Sequence, residues 1–244
     1  CEGSTGGLAV RLGLGEVRNV GEALATRIVE RRLDAATGAP APYTSVEDLV
    51  RRAEVPLPAV EALATAHALA SLGLDRRRAL WAAGAAVQSR PDRLEGIVTG
   101  TVAPPLPGMS PLEETNADLW STGIAAVHPT EHLREHLSAL GVLTAEQLRT
   151  AEADRRVLVG GVVTHRQKPA TAQGTIFVNL EDETGLVNVI CSAGVWDRYR
   201  KVARTSPALL VRGTLERAEG VINVVADRLE PLPVPTSSRS RDFR

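Results

Sequence analysis

The residues best suited to chemistry lie in an acidic run, Glu181-Asp182-Glu183-Thr184-Gly185. Neighbouring carboxylates can hold a divalent cation, but such a site needs more oxygen ligands at fixed geometry, and the adjoining sequence supplies none. Asp, Thr and Gly also make tight turns, because Asp and Thr side chains bond the nearby backbone and Gly adopts left-handed conformations. The run therefore predicts a turn at 182–185 between two strands, with a metal site as the alternative.

A second candidate is the histidine series His128, His132 and His136, which recurs every four residues. On a helix this spacing aligns the imidazoles on one face, as a zinc pair requires. No cysteine or suitable carboxylate completes a site, so we predict a surface helix. The sequence also has no P-loop, no GxSxG and no strand-borne carboxylate pair for two-metal chemistry. We therefore expect a binding module with no catalytic residue, cofactor or metal of its own.

Composition sets the class of protein that must position these residues. The 244 residues are 43% hydrophobic and 23% charged, which is typical of one or two globular domains with a real core. Cys1 and Cys191 cannot form a disulfide framework, and Cys191 is expected to be a buried free thiol. Without a long apolar run or a leader-like start, we expect a cytoplasmic protein that makes no membrane contact. The start at cysteine suggests a piece of a longer chain.

Charge is unevenly distributed along the sequence. Residues 155–244 carry 14 basic and 9 acidic side chains, whereas residues 1–154 carry 14 and 20. Because Arg and Lys neutralise phosphates, the second part is the better candidate for contact with a polyanion. A genome that favours arginine codons would give the same excess.

The sequence predicts a bundle of short helices over the first 90 residues. Residues 8–33 predict helix, tight turn and helix, with VRNVGEA (17–23) at the turn. A helix-hairpin-helix binds phosphate through backbone N–H groups at a Gly-apolar-Gly turn, helped by the amino end of the next helix. Asn19, Val20 and Gly21 supply that pattern, because Asn tolerates the left-handed conformation. We therefore predict DNA contact at Arg18 to Gly21, with a purely structural turn as the alternative.

The rest of the chain divides into a linker, a barrel and a tail. Residues 91–155 predict a linker with short connecting helices, one of them begun by a Thr144–Gln147 capping box. From Arg156 the hydrophobic period becomes two. Strands are predicted at 156–166, 175–182, 186–192, 208–217 and 221–230, with a helix at 193–204. This order is that of an OB-fold, and Gly160-Gly161 would allow the bend that barrel closure needs. Residues 233–244 predict a flexible basic tail.

We therefore predict a multidomain α+β chain: a tandem helix-hairpin-helix region at 1–90, then a five-stranded OB-fold at 156–232. In OB-folds the loop between the first two strands borders the face that grips oligonucleotides. Here that loop is 164–174, which carries Arg166 and Lys168, and Phe177 follows on the next strand. Alternation places Phe177 on one face with Asn179, where it could stack a base. The alternative places Phe177 inside the barrel.

Several stretches together resemble the C-terminal region of bacterial family C DNA polymerases, the polymerase III alpha type, and most of all the error-prone, damage-tolerant paralogue. The stretches are RLGLGEVRNVGEALATRIVERR (11–32), SVEDLVRRAEV (45–55), LGLDRRRALWAAG (72–84), DLWSTGIAAVHPTEHLREHL (118–137), GGVVTHRQKPATAQGTIFVNLEDETGLVNVIC (160–191), LLVRGTLERAEGVINVVADRLEPL (209–232) and RSRDFR (239–244). The run HRQKPATAQG…LEDETG is the most specific.

The resemblance implies that 8–90 holds duplex DNA and 156–232 handles single-stranded template, without sequence specificity, in a DNA polymerase used for lesion bypass and induced mutagenesis. It also implies that the catalytic palm and its Mg²⁺ lie outside this chain, which is expected to be inactive alone. Accessory proteins of a mutagenesis complex are implied partners beside DNA. Asn19 and His67 depart from the family, which usually has Gly at both positions. The alternative function is a protein-interaction module with little DNA contact.

Overall fold

The computed structural model describes residues 11–34, 36–88, 103–169, 174–218, 221–234 and 241–243. The chain forms two compact units, residues 1–110 with 120–124 and residues 111–119 with 125–244. The first part of the predicted linker (91–102), the loop tip 170–173 and most of the predicted tail lie outside the described residues. Among the described residues, no helix is long and apolar enough to cross a membrane.

The first unit is the predicted bundle of short helices, but the helix predicted before the turn at 17–23 is, among the described residues, only a 3-10 turn. Its helices are α1 (Gly21–Glu30), α2 (Val46–Ala53), α3 (Leu57–Thr65) and α4 (Arg76–Ala86), with short 3-10 turns at Leu14–Glu16 and Ala70–Leu72. Aliphatic and small side chains from all four helices form one buried core. Side-chain caps begin two of these helices: Ser45 accepts the N–H of Asp48, and Asp75 accepts that of Arg78.

The second unit is built on the predicted barrel, whose strands are β2 (Arg156–Gln167), β3 (Ile176–Asp182), β4 (Gly185–Cys191), β5 (Ala208–Ala218) and β6 (Val221–Pro231). The strands pair in the order β2-β3-β4-β6-β5, and β5 pairs back with β2 to close the barrel. All five lie within one residue of the predicted bounds, which confirms the OB-fold. The predicted helix at 193–204 is instead two helices, α8 (Ala193–Arg198) and α9 (Arg200–Thr205).

Shorter elements precede and follow the barrel strands in the chain. The segment before it contains α5 (Pro111–Thr122), α6 (Arg134–Ala139), β1 (Val142–Leu143) and α7 (Ala145–Leu148). β1 and the short β7 (Arg241–Phe243) both pair with β2 in parallel. Leu137 and Val142 are buried with barrel residues such as Val162 in a second, smaller core. Residues 125–155, the second part of the predicted linker with short helices (91–155), belong to this unit, and several of their side chains pack against barrel residues.

Two glycines allow the barrel strands to approach one another closely. A Cβ on Gly161 would lie 2.6 Å from the carbonyl oxygen of Glu181, and a Cβ on Gly213 would lie 2.3 Å from that of Val225. Gly213 also follows a register shift between β5 and β6. Gly160, by contrast, has only side chains near it, at 3.5 Å. The role predicted for the Gly160-Gly161 pair thus falls on Gly161, with Gly213 as a second site.

We expect Gly213→Ala to destabilise the barrel by about 1–3 kcal/mol, because the added methyl group would displace the β6 backbone. Hydrogen–deuterium exchange of peptides from β5 and β6 would measure the loss. The control is Gly194→Ala in α8, where a Cβ meets nothing within 4 Å, so exchange should stay the same or slow slightly. Equal exchange in both variants would contradict the close-approach argument.

Candidate nucleic-acid interface

The first hairpin has the backbone conformation that the sequence predicted. Asn19 and Gly21 have φ values of 62° and 61°, and Val20 between them is buried at 5% exposure. Arg18 is exposed, and its guanidinium lies 4.7 Å from the ring centre of Trp120. Asn19 thus adopts the left-handed conformation that glycine usually provides. Val20 holds the turn in the core, while Arg18, Asn19 and Gly21 stay at the surface.

The amino end of α1 is open. Val20 precedes the helix, and no side chain among the described residues caps it. The first N–H groups of a helix lack partners within the helix and attract anions. Glu22 lies in this first turn and adds a negative charge, which partly offsets the helix dipole. The hairpin therefore presents free backbone donors of the kind that bind a phosphate.

The second hairpin differs at the same point. His67 has a φ of 60°, so it also stands in a conformation suited to glycine. The 3-10 turn Ala70–Leu72 follows His67 directly, and the next α-helix is α4, whose amino end is occupied by the carboxylate of Asp75. That carboxylate accepts the Arg78 N–H at 2.8 Å and lies 3.3 Å from the Arg78 guanidinium. An internal anion therefore already occupies the start of α4, whereas the start of α1 has no side-chain cap among the described residues.

On the barrel, Phe177 lies on the outer face. Its neighbours Ile176 and Val178 are buried in the barrel core, whereas Phe177 is half-buried and outside that core. Across the sheet Phe177 is paired with Gln167 on β2 and Ile190 on β4. The alternative that placed Phe177 in the barrel interior is therefore wrong.

An amide row runs beside Phe177 on the same outer face. Asn179 pairs with Asn188, and Asn188 pairs with Asn223 on β6. All three are half-buried. Their carboxamides can both donate and accept hydrogen bonds, so this face combines an aromatic ring with flexible polar groups. No local sequence pattern indicates a role for Asn223, because β4 and β6 become neighbours only through the barrel topology.

The two predicted cations of the first barrel loop have different positions. Lys168 is exposed just after β2. Arg166 is 8% exposed, and its guanidinium donates to the carbonyl oxygens of Ala203 and Ser206, both at 2.7 Å. The prediction that Arg166 is a loop residue facing DNA is wrong. Arg166 belongs to β2, and its side chain binds the carboxyl end of α9. Helix ends carry carbonyls without helical partners, and cations suit them.

The acidic run forms the predicted turn. Asp182 is 3% exposed, and its Oδ1 accepts the N–H and hydroxyl of Thr184 and the N–H of Gly185, at 2.7–3.0 Å. Its Oδ2 accepts the N–H of Ala145 at 2.7 Å, at the start of α7. No group of three or more possible metal ligands occurs among the described residues. The oxygens of Asp182 thus serve the turn and the segment packed on it.

Glu183 holds the same segment through another set of contacts. Its carboxylate accepts the Thr130 hydroxyl at 2.7 Å and binds the Arg134 guanidinium in a bidentate pair. Burial acts to raise the pKa of Glu183, but the hydrogen bonds from Arg134 and Thr130 outweigh it and lower the pKa to about 2. The ring of His128 lies 2.6 Å from the Thr130 hydroxyl, and burial lowers its pKa despite the nearby acids.

The remaining reactive side chains have structural surroundings. His132 bonds the Thr115 hydroxyl at 2.8 Å, and it lies in a 3-10 turn before α6. The three histidines therefore do not share one continuous helix. Cys191 is a buried free thiol, as predicted, and burial raises its pKa to about 12. A thiol with so high a pKa is a poor nucleophile at neutral pH.

The Glu183 contacts predict a pH dependence of stability. A carboxylate whose pKa falls from 4.5 to about 2 on folding stabilises the fold above pH 4.5, and this contribution is lost as pH falls toward 2. We expect Glu183→Gln to destabilise the second unit by roughly 1–3 kcal/mol at pH 7. The difference from wild type should shrink between pH 4.5 and 2.

Urea unfolding at several pH values would measure this difference. The matched control is Glu135→Gln, at an exposed carboxylate on α6, which should change stability little at any pH. A Glu183→Gln effect that stays constant from pH 7 to 2.5 would show that Glu183 does not act through its charge.

Comparison with known proteins gives two family matches. Residues 2–79 match the helix-hairpin-helix motif, and residues 157–232 match the OB-fold nucleic acid binding domain. Curated relatives match along nearly the whole chain. The error-prone DNA polymerase of Mycobacterium bovis is 54% identical over 100% of this chain, and that of Nocardia farcinica is 52% identical over 98%. The chain spans only 22% and 21% of these relatives.

Solved structures resemble only part of the chain. Asparaginyl-tRNA synthetase from Pyrococcus horikoshii aligns with a TM-score of 0.33 and 18% identity, over 40% of this chain and 24% of that one. The hypothetical protein ygiW from E. coli aligns with a TM-score of 0.30 and 15% identity, over 37% and 89%.

Proposed function

We propose that this chain, which belongs to the error-prone DNA polymerase family by a match along its whole length, holds DNA for such a polymerase. The resemblance that the motifs predicted is confirmed by these relatives and by the two domain matches. Because the chain spans about a fifth of each relative, polymerisation and lesion bypass are proposed for the longer protein. We place its catalytic Mg²⁺ there as well.

The outer barrel face is the observation that carries the proposal. Phe177 is half-buried there, between Gln167 and Ile190 and beside the row Asn179, Asn188 and Asn223. An aromatic ring gives a stacking platform for any base, because every base has a π-face. Carboxamides that rotate can bond different base edges. These features suit a single strand held without a fixed sequence.

The first hairpin adds a second contact, to the DNA backbone. Asn19 and Gly21 form the left-handed turn, and the N–H groups at the amino end of α1 are uncapped among the described residues. Backbone donors bind phosphate oxygens, which are the same in every sequence. We assign duplex binding to this hairpin and single-strand binding to the barrel, with Arg18 and Lys168 as exposed cations at the two sites.

We expect Phe177→Ala to weaken binding of a fluorescein-labelled thymidine 20-mer by about 5- to 100-fold, because loss of one stacked base costs about 1–3 kcal/mol. Fluorescence anisotropy of the chain at fixed salt would measure the dissociation constant. Phe177→Trp should restore most of the affinity.

Leu186→Ala is the matched control for this experiment. Leu186 is 62% exposed on the same strand pair, at the turn end, so its loss should leave affinity within twofold of wild type. If both variants bind like wild type, the barrel face does not stack bases.

Docking of accessory proteins is the second candidate function. The observation that favours it is β7, which pairs in parallel with residues 165–167 of β2. This edge of the sheet thus accepts an added strand, which is one way that extended peptides bind. Undetectable binding of both single-stranded and primed DNA at low salt, with capture of accessory proteins retained, would favour docking over DNA contact.

A further inference from the structure

We propose that α8 and α9, here called the helical insert (residues 193–205), bind the phosphate backbone of single-stranded DNA as it leaves the outer barrel face. This inference deepens the proposed function and depends on it. The insert carries four exposed cations, Arg198, Arg200, Lys201 and Arg204, and one exposed acid, Asp197. Phosphodiester oxygens are the complementary groups.

The insert is held rigidly, so its cations have a defined location. Its inner side packs on the barrel core through Trp196, Tyr199 and Val202, and Ala203 is fully buried. Arg166 binds the carbonyl oxygens of Ala203 and Ser206 at the end of α9. Because one side is fixed in this way, the four cations lie on the side that faces solvent.

The four cations also differ from the other arginines of the barrel. Arg156 and Arg212 face Asp227 at 3.2 and 2.8 Å, and Arg228 pairs with Glu230. The cations of the insert form no ion pair with a carboxylate in the part of the chain that the structure describes. They are therefore available to an external anion.

Helix electrostatics account for only two of the four. Arg198 and Arg204 lie in the last turns of α8 and α9, where the helix dipole favours cations. Arg200 and Lys201 lie in the first turn of α9, where the dipole disfavours them, and both approach Arg204 at a spacing of three or four residues. This arrangement costs local stability, and a bound phosphate chain would offset that cost.

The insert continues directly from the proposed stacking face. Ile190, opposite Phe177, is followed by Cys191 and Ser192, and α8 then begins. A Cβ on Gly174, at the end of the Lys168 loop, would lie 3.5 Å from the Cβ of Ala193. A strand stacked on Phe177 therefore lies beside the start of the insert. Gln167, which is paired with Phe177, follows Arg166, whose side chain binds the end of α9.

Salt dependence tests this inference. Each phosphate contact on a single strand contributes about 0.7 to the slope of log affinity against log salt. We expect Arg200→Ala/Lys201→Ala to lower the slope for the labelled thymidine 20-mer by about 1.4, and to weaken binding by roughly 10- to 30-fold in 0.1 M salt. Anisotropy titrations of the chain between 0.05 and about 0.4 M salt would measure both.

The matched control is Arg212→Ala/Arg228→Ala, which removes the same charge from residues paired with carboxylates and should leave the slope near wild type. An unchanged slope in the insert variant, while Phe177→Ala still weakens binding, would overturn the insert contact and leave the proposed function standing. Equal slope losses in both double variants would show that the slope follows net charge alone. That result would also overturn the insert contact. If wild type binds no DNA, both proposals fail.

Discussion

The second unit depends on two carboxylates at the β3–β4 turn. One carboxylate oxygen of Asp182 accepts hydrogen bonds within the turn, and the other accepts the first N–H of α7. Glu183 binds Thr130 and Arg134 on the segment before the barrel. Charge-assisted hydrogen bonds of this kind are stronger than neutral ones, and they are stronger still when partly buried. Acids that look like metal ligands in the sequence thus fix 125–151 against the barrel.

Arginine serves a comparable purpose at helix ends. Arg166 donates to Ala203 and Ser206 at the end of α9, and Arg217 donates to carbonyls at the end of α7 and just after it, Leu148 and Arg149 among them. In the first unit Arg27 donates to Ala53 at the end of α2, at 2.7 Å. The planar guanidinium reaches several carbonyls at once. Much of the arginine excess therefore has a structural use, and only arginines outside such contacts are available to DNA.

The two hairpins also differ in whether their polar groups already have partners within the protein. Asn19 and His67 both adopt left-handed conformations, so both turns keep the shape that glycine would give. What differs is the helix that follows. Asp75 already supplies an anion at the start of α4, whereas α1 begins without a described cap. Two turns of like conformation can thus be followed by α-helices of unlike capacity for phosphate, because the first N–H groups of α4 already face a carboxylate.

The sequence by itself determined the elements and their order. The period-two runs located all five strands of the barrel to within one residue, and the Thr144–Gln147 capping box located the start of α7. Alternation also put Phe177 on the correct face. These features could be predicted from the sequence because they depend on local backbone geometry and on neighbours close in sequence.

Only the tertiary structure decided which polar side chains remain available for DNA. Arg166 looked like a loop cation, but its partners are 37 and 40 residues away. Asn223 joins Asn188 only because β6 pairs with β4, and Asp182 meets Ala145 across 37 residues. A charged group is free or engaged according to what the fold brings beside it, and that depends on contacts between segments that no local pattern specifies.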